Sequence, residues 1–150
     1  MTDNEIISAL TKVKDLYGKA NAIKLEALFR NETAHFKSTN YVITFSPGME
    51  ATVDFMPYGW SSLAPFWKEH PEYAPVGIHK QVENNSRMMA SRGERRFIKF
   101  PSVEAGMMTV AYRLSLKGWD TGAWASNDKA AQDKYRAYLL GIKTPFANNL

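Results

Sequence analysis

The chain has no cysteine, which excludes a disulfide framework, thiolate metal sites and thiol catalysis together. No apolar run approaches the roughly 18 residues of a membrane span, and no membrane partner is expected. Histidine is scarce. His35, His70 and His79 match no HExxH spacing, and Glu32 with His35 forms a single ExxH where a di-iron bundle uses two. No metal and no cofactor is therefore expected. The chain also lacks a GxSxG elbow, a glycine-rich phosphate loop, an internal repeat and any low-complexity segment, which leaves serine-triad and nucleotide-binding readings without support.

What is present describes a folded domain. Its 150 residues, 45% apolar with seven Tyr, eight Phe and four Trp, suit one hydrophobic core and are too aromatic for disorder. Nineteen Lys and Arg against fifteen Asp and Glu give a net charge of +4. Arg87, Arg92, Arg95, Arg96 and Lys99 crowd one segment that holds a single acid, Glu94. Such a cluster attracts polyanions, whether nucleic acid or bacterial cell-wall polymers, although a solvated loop is the ordinary reading.

Hydrophobic periodicity predicts a helix from Glu5 to Leu16 that buries Ile6, Leu10, Val13 and Leu16 or Tyr17 and stops at Gly18. A second helix is predicted from Lys19 to His35. Tyr41–Phe45 and Ala51–Met56 alternate as short strands around the turn Ser46-Pro47-Gly48-Met49, predicting an antiparallel hairpin. Trp60–Glu69 reads as a short helix with Leu63, Phe66 and Trp67 inward and Pro65 in its first turn. From His70 to Lys99 no period is sustained, so the expectation is an irregular excursion with a brief helix near Gln81–Ala90. Ser102 then caps a helix burying Val103, Met107, Val110 and Leu114. A last helix, capped by Ser126 and stopped by Gly141, is expected to bury Ala131, Tyr135, Tyr138 and Leu139. The fold class expected is mainly α with a small β-hairpin, α+β, in one domain over residues 1–150.

The chemistry centres on Glu32. Ala22, Leu25, Phe29 and Glu32 share a face of the second helix, so its carboxyl group is expected to be partly withdrawn from water. A carboxyl so placed is harder to ionise, as a general acid working near neutral pH requires. A surface glutamate beside His35 is the plainer alternative. Glycoside cleavage commonly needs a second carboxylate; Glu50 and Asp54 are the candidates, and each reads equally as a solvated strand residue. Thr44 and Thr52 could hold a water. Tyr58, Trp60, Trp67 and Tyr73 offer faces for sugar rings, with core packing the competing reading for at least half of them.

Glu32-Thr33-x-x-Phe36-x-Ser38, then Gly48-Met49-Glu50, then Tyr58-Gly59-Trp60, resemble the start of a lysozyme-like domain of a bacteriophage peptidoglycan hydrolase. Phe97-Ile98-Lys99-Phe100-Pro101-Ser102-Val103-Glu104-Ala105-Gly106 is similar to a segment of phage and bacterial cell-wall glycosidases. The resemblance spans residues 20–140 and implies a single lysozyme-like domain in which a helix-terminal glutamate, Glu32, is the general acid facing a hairpin across a glycan groove. It implies peptidoglycan as the partner, with other virion proteins as further partners and nucleic acid set aside. Met1-Thr2-Asp3-Asn4-Glu5 is acidic and polar where a secretory signal is basic and then apolar, so synthesis without a signal peptide is expected, in the host cytoplasm or a virion, and the resemblance implies action at the bacterial wall as an endolysin or virion enzyme. The sequence lacks the Glu-Ser signature and Gly-Leu-Met-Gln segment of lytic transglycosylases and the spaced second aspartate of phage lysozymes. Muramidase and transglycosylase outcomes both stay open. So does a catalytically inactive lysozyme-like virion structural or glycan-binding protein, with a nucleic-acid binder using the Arg87–Lys99 cluster as a third reading.

Overall fold

The structure, a computed structural model, describes residues 1–51, 61–82 and 94–150. Helix α1 (Asp3–Tyr17) opens on a capping box in which Thr2 and Glu5 each bond the other's backbone N–H. It buries Ile6, Ala9, Leu10 and Val13. At Gly18 the chain takes φ 94°, a conformation an L side chain resists, and reverses into α2 (Lys19–Glu32). These two helices and α5 (Val103–Leu116) pack together. On α5 Val103, Ala105, Met107, Met108, Val110, Ala111 and Leu114 are all buried, as befits a helix enclosed on most sides. Its N-terminus is capped by Ser102, whose Oγ accepts the Ala105 N–H at 3.0 Å.

The segment expected as the first hairpin strand is a helix. Ser38 Oγ accepts the Tyr41 N–H and opens α3 (Thr39–Thr44), which Phe45 closes at φ 54°. Tyr41 and Thr44 are buried and Phe45 packs against the core, whereas Val42 and Ile43 are 51% and 36% exposed. Spacings of three and four are helical; a strand would have buried residues 41, 43 and 45. The β-branched run therefore yields to the burial that a helix permits. Gly106 makes the docking possible, since a Cβ there would lie 2.0 Å from the Phe45 carbonyl oxygen.

The sheet also departs from the expected hairpin. Strand β1 (Glu50–Ala51) pairs with β3 (Glu94–Lys99), not with Tyr41–Phe45, and β3 pairs in turn with β2 (Gly77–Val82), all antiparallel in the order β1-β3-β2. The register sets Glu50 opposite Phe97 and Ile78 opposite Ile98. Within the stretch expected to be irregular, residues 77–82 and 94–99 are thus strands. Gln81 and Val82, expected to begin a helix, end β2; residues 83–93 lie outside the described ones, as do 52–60. The strands were hidden by their charged positions, because β3 buries Phe97 and Ile98 while Lys99 is exposed.

A 3-10 turn, Ser61–Leu63, leads into α4 (Ala64–Glu69), with Pro65 in its first turn and Leu63, Phe66 and Trp67 buried, as the pattern predicts. The last long helix, α6 (Lys129–Leu140), is capped by Asp128 rather than Ser126. Only Leu139 on it is buried, and Tyr138 is exposed, so the expected four-residue stripe is narrower. A short helix, α7 (Pro145–Asn148), lies against α2. The fold is mainly helical with a small antiparallel sheet, an α+β arrangement, and among the described residues no helix is long and apolar enough to cross a membrane.

Candidate active site

Helix α2 ends at Glu32 rather than continuing to His35. Ala34, His35 and Phe36 follow with φ of 50°, 58° and 69°, three successive non-glycine residues in the left-handed region, each costing about 1–2 kcal/mol. Thr33 holds this turn together. Its buried hydroxyl donates to the Phe29 carbonyl at 2.5 Å and accepts the Phe36 N–H at 2.8 Å, while its carbonyl accepts from Lys37 and Ser38. Phe36 is thereby turned into the core beside Phe29 and Tyr41. Strain concentrated beside one acidic side chain is a mark of functional sites. Replacing Ala34 with glycine relieves part of it: Ala34→Gly is expected to stabilise the fold by about 1 kcal/mol, read as a rise of about 2–4 °C in Tm. An unchanged or lower Tm would mean that the turn is not strained.

Glu32 is an exposed residue, yet its carboxyl group is held by a partner 103 positions away. The Tyr135 hydroxyl on α6 donates to Glu32 Oε1 and itself accepts from Asn31 Nδ2 at 3.2 Å. Desolvation pushes the Glu32 carboxyl above the ordinary carboxylate range, and the tyrosine bond offsets only part of that push. The Tyr135 phenol is likewise raised, by its own desolvation and then by the adjacent carboxylate. The result is a reluctant acid that solvent can still reach.

Beneath the turn lies a second carboxylate with a different task. Glu26 is fully buried; its oxygens accept from Arg30 Nε at 2.6 Å, the Ala147 N–H at 2.6 Å and the Phe146 N–H at 3.4 Å. Arg30 in turn lies over both the Phe36 and Phe146 rings, 5.1 and 4.9 Å from their centroids. The C-terminal segment is thus tied to the turn after Glu32.

Of the other anticipated site residues, Thr44 is fully buried, its hydroxyl donating to the Asn40 carbonyl and accepting the Ser46 N–H. It serves the end of α3, and the Thr44 carbonyl accepts the Phe100 N–H, hanging the sheet on the segment that follows Glu32. Glu50 is placed through its backbone in β1, opposite Phe97. Thr52, Asp54, Tyr58 and Trp60 lie outside the described residues, as do Arg87 and Arg92. Trp67 is a core residue whose Nε1 donates to Thr109 Oγ1 at 3.1 Å, and Tyr73, largely buried, donates its hydroxyl to Glu104 Oε2 and borders two surface pockets. Sequence reasoning missed Asn31, Glu26 and the bond made by Tyr135. No local pattern could have revealed pairs separated by more than 100 positions. Among the described residues no group of three or more His, Asp or Glu could hold a metal ion.

Fold and site together give an α+β arrangement in which Glu32, exposed at the end of α2, carries a carboxyl group whose pKa is raised by desolvation. Comparison with protein-family models, curated proteins and solved structures found no match to this chain.

Proposed function

We propose that this protein is a lysozyme-like, peptidoglycan-degrading glycosidase of the bacteriophage type, with Glu32 as its general acid. One observation carries the reading: Glu32 is exposed at the end of α2, and desolvation raises the pKa of its carboxyl group. A protonated carboxyl in that position can deliver its proton to a glycosidic oxygen as the bond breaks, leaving an oxocarbenium-like sugar. Glu50 and Asp54 are the proposed candidates for stabilising that cation or activating water. The net charge of +4 favours encounter with an anionic wall.

The test is release of soluble fragments from purified peptidoglycan of several chemotypes, followed by turbidity and by mass spectra of the products. Reducing ends would identify hydrolysis and anhydro ends a transglycosylase. No release by folded protein from any wall would favour an inactive glycan-binding or virion structural role.

Tyr135 provides a finer check. Its hydroxyl stabilises the ionised form of Glu32, so Tyr135→Phe is expected to raise the pKa of the acid further. The acid works while protonated, and the alkaline limb of the pH profile for fragment release should therefore move to higher pH. An unmoved limb in a folded variant would detach Tyr135 from the tuning of Glu32.

A further inference from the structure

A cavity of about 860 Å³ lies between α2, the bend at Gly118–Thr121, α6 and the C-terminal segment Ile142–Asn148. Neither Glu32 nor its partners Asn31 and Tyr135 line it, so it is a place apart from the candidate acid. Its volume falls in the range of small-molecule sites.

The walls are braced from outside the cavity. The Trp119 backbone N–H donates to the Leu114 carbonyl at 2.8 Å, and its ring packs on Tyr17 at 5.2 Å between ring centroids. Arg136 is fixed by Asp120 through Nε and Nη2, at 2.7 and 2.6 Å, and by Asp133 through Nη1 at 2.6 Å. Gly122 lies so close beneath Arg136 that a Cβ there would sit 2.7 Å from Nε. The remaining wall is the C-terminal segment pinned by Glu26. A cavity braced in this way is preformed.

Its chemistry is two-sided. Ile23, Ala27, Trp119 and Leu139 provide an apolar floor, and the rim carries Lys24, Arg136 and Lys143 against one acid, Asp120. Both oxygens of Asp120 are engaged by Arg136, and Lys24, whose Nζ donates to the Trp119 carbonyl at 3.3 Å, also acts electrostatically on Asp120. With Arg136 paired to both Asp120 and Asp133, the positive character of the rim comes from Lys24 and Lys143. A neutral apolar ligand would use only the floor, and a cationic one would be repelled.

We propose that this cavity is a binding site for an amphipathic anion, an apolar body carrying a phosphate or carboxylate head. The apolar body fills the floor and the head meets Lys24 and Lys143 in charge-assisted hydrogen bonds. Lipid-derived and free alkyl anions share this chemistry, and a short-chain probe tests it without a bilayer.

Calorimetric titration of the full chain with octyl phosphate below its micellar range should give saturable binding. Octyltrimethylammonium, of similar chain and opposite charge, and inorganic phosphate, with the head alone, should each bind at least about tenfold more weakly. Ile23→Trp, which fills the floor, and the surface pair Lys24→Glu/Lys143→Glu should each weaken octyl phosphate by at least about tenfold. The charge reversals leave the core intact, so they remain informative if Ile23→Trp fails to fold. Absence of saturable octyl phosphate binding, equal binding of the ammonium analogue, or undiminished binding by the reversed pair would overturn the proposal. A dimer dispersed by the reversed pair, without octyl phosphate binding, would instead make the cavity an interface between copies. Phosphatidylglycerol and phosphatidylcholine vesicles then separate the sources: sedimentation with the anionic vesicles alone would assign a lipid, and sedimentation with neither a free amphiphile.

Discussion

Glu32→Gln is expected to reduce fragment release from peptidoglycan by at least about 100-fold, the lower range for a positioned general acid, without lowering Tm. The two halves of that expectation come from one environment. Desolvation raises the pKa of Glu32 in the folded chain, so between the unfolded and folded values the native state binds more protons than the unfolded one. The favourable contribution of the protonated acid is present at low pH and is lost as pH rises through the raised native value. Above that native value the ionised carboxylate sits where the fold disfavours its charge. Glutamine keeps the shape and still offers Oε1 to the Tyr135 hydroxyl, but carries no charge to desolvate. Its Tm at neutral pH should match or exceed that of the parent, and its advantage should shrink as the pH is lowered. Melting curves from pH 4 to 8 alongside wall-lysis assays check both halves. A variant that loses lysis and melts early would make Glu32 a structural residue; one that keeps lysis would remove it as the acid.

The largest stability effect is expected at the other carboxylate of α2. Glu26→Ala removes a fully buried group that accepts from the Arg30 guanidinium and two backbone amides of α7. Thr144, at the cap position of α7, makes no capping bond of its own, so Glu26 is the acceptor for those orphan N–H groups at the positive end of a helix. Truncation would leave Arg30, itself mostly buried, without its carboxylate. Breaking a buried pair in this way costs about 3–5 kcal/mol, which corresponds to a fall of order 10 °C in Tm at this chain length. The C-terminal residues should also become accessible to carboxypeptidase, because their anchor is gone. A loss below about 1 kcal/mol would show that the segment is held by its apolar contacts instead. Since Arg30 also lies over Phe36, partial loss of lysis at temperatures where the variant stays folded would mean that the C-terminal segment helps position the turn after Glu32.

These two glutamates differ by six positions and look alike in the sequence. Glu32 was legible as a candidate because it shares a helix face with Ala22, Leu25 and Phe29, all buried here. Glu26, four residues after Ala22 and three before Phe29, borders the same face, but its role was not legible: its partners are Arg30, one turn away, and backbone amides 120 and 121 positions away. The hydroxyl that tunes Glu32 comes from Tyr135, which periodicity placed only in a buried stripe. The error at Tyr41–Phe45 has a related origin. Its β-branched residues favour a strand locally, but Ser38 supplies a helix cap and Gly106 opens the space in which Phe45 can dock.

The sequence by itself determined the interactions that act over one or two turns. The stop at Gly18, the cap at Ser102, Pro65 in the first turn of its helix and the apolar stripes of α1 and α5 all depend on neighbours within a few residues, where the chain has few ways to differ. Tertiary structure alone decided that 39–44 is helical, that β1 pairs with β3 across more than forty residues, and that one glutamate of α2 became a buried anchor and the other a reluctant acid. Each of those outcomes depends on what is packed alongside. Burial, partner and local dielectric belong to the assembled fold, and it is they that set a carboxyl group's charge and role.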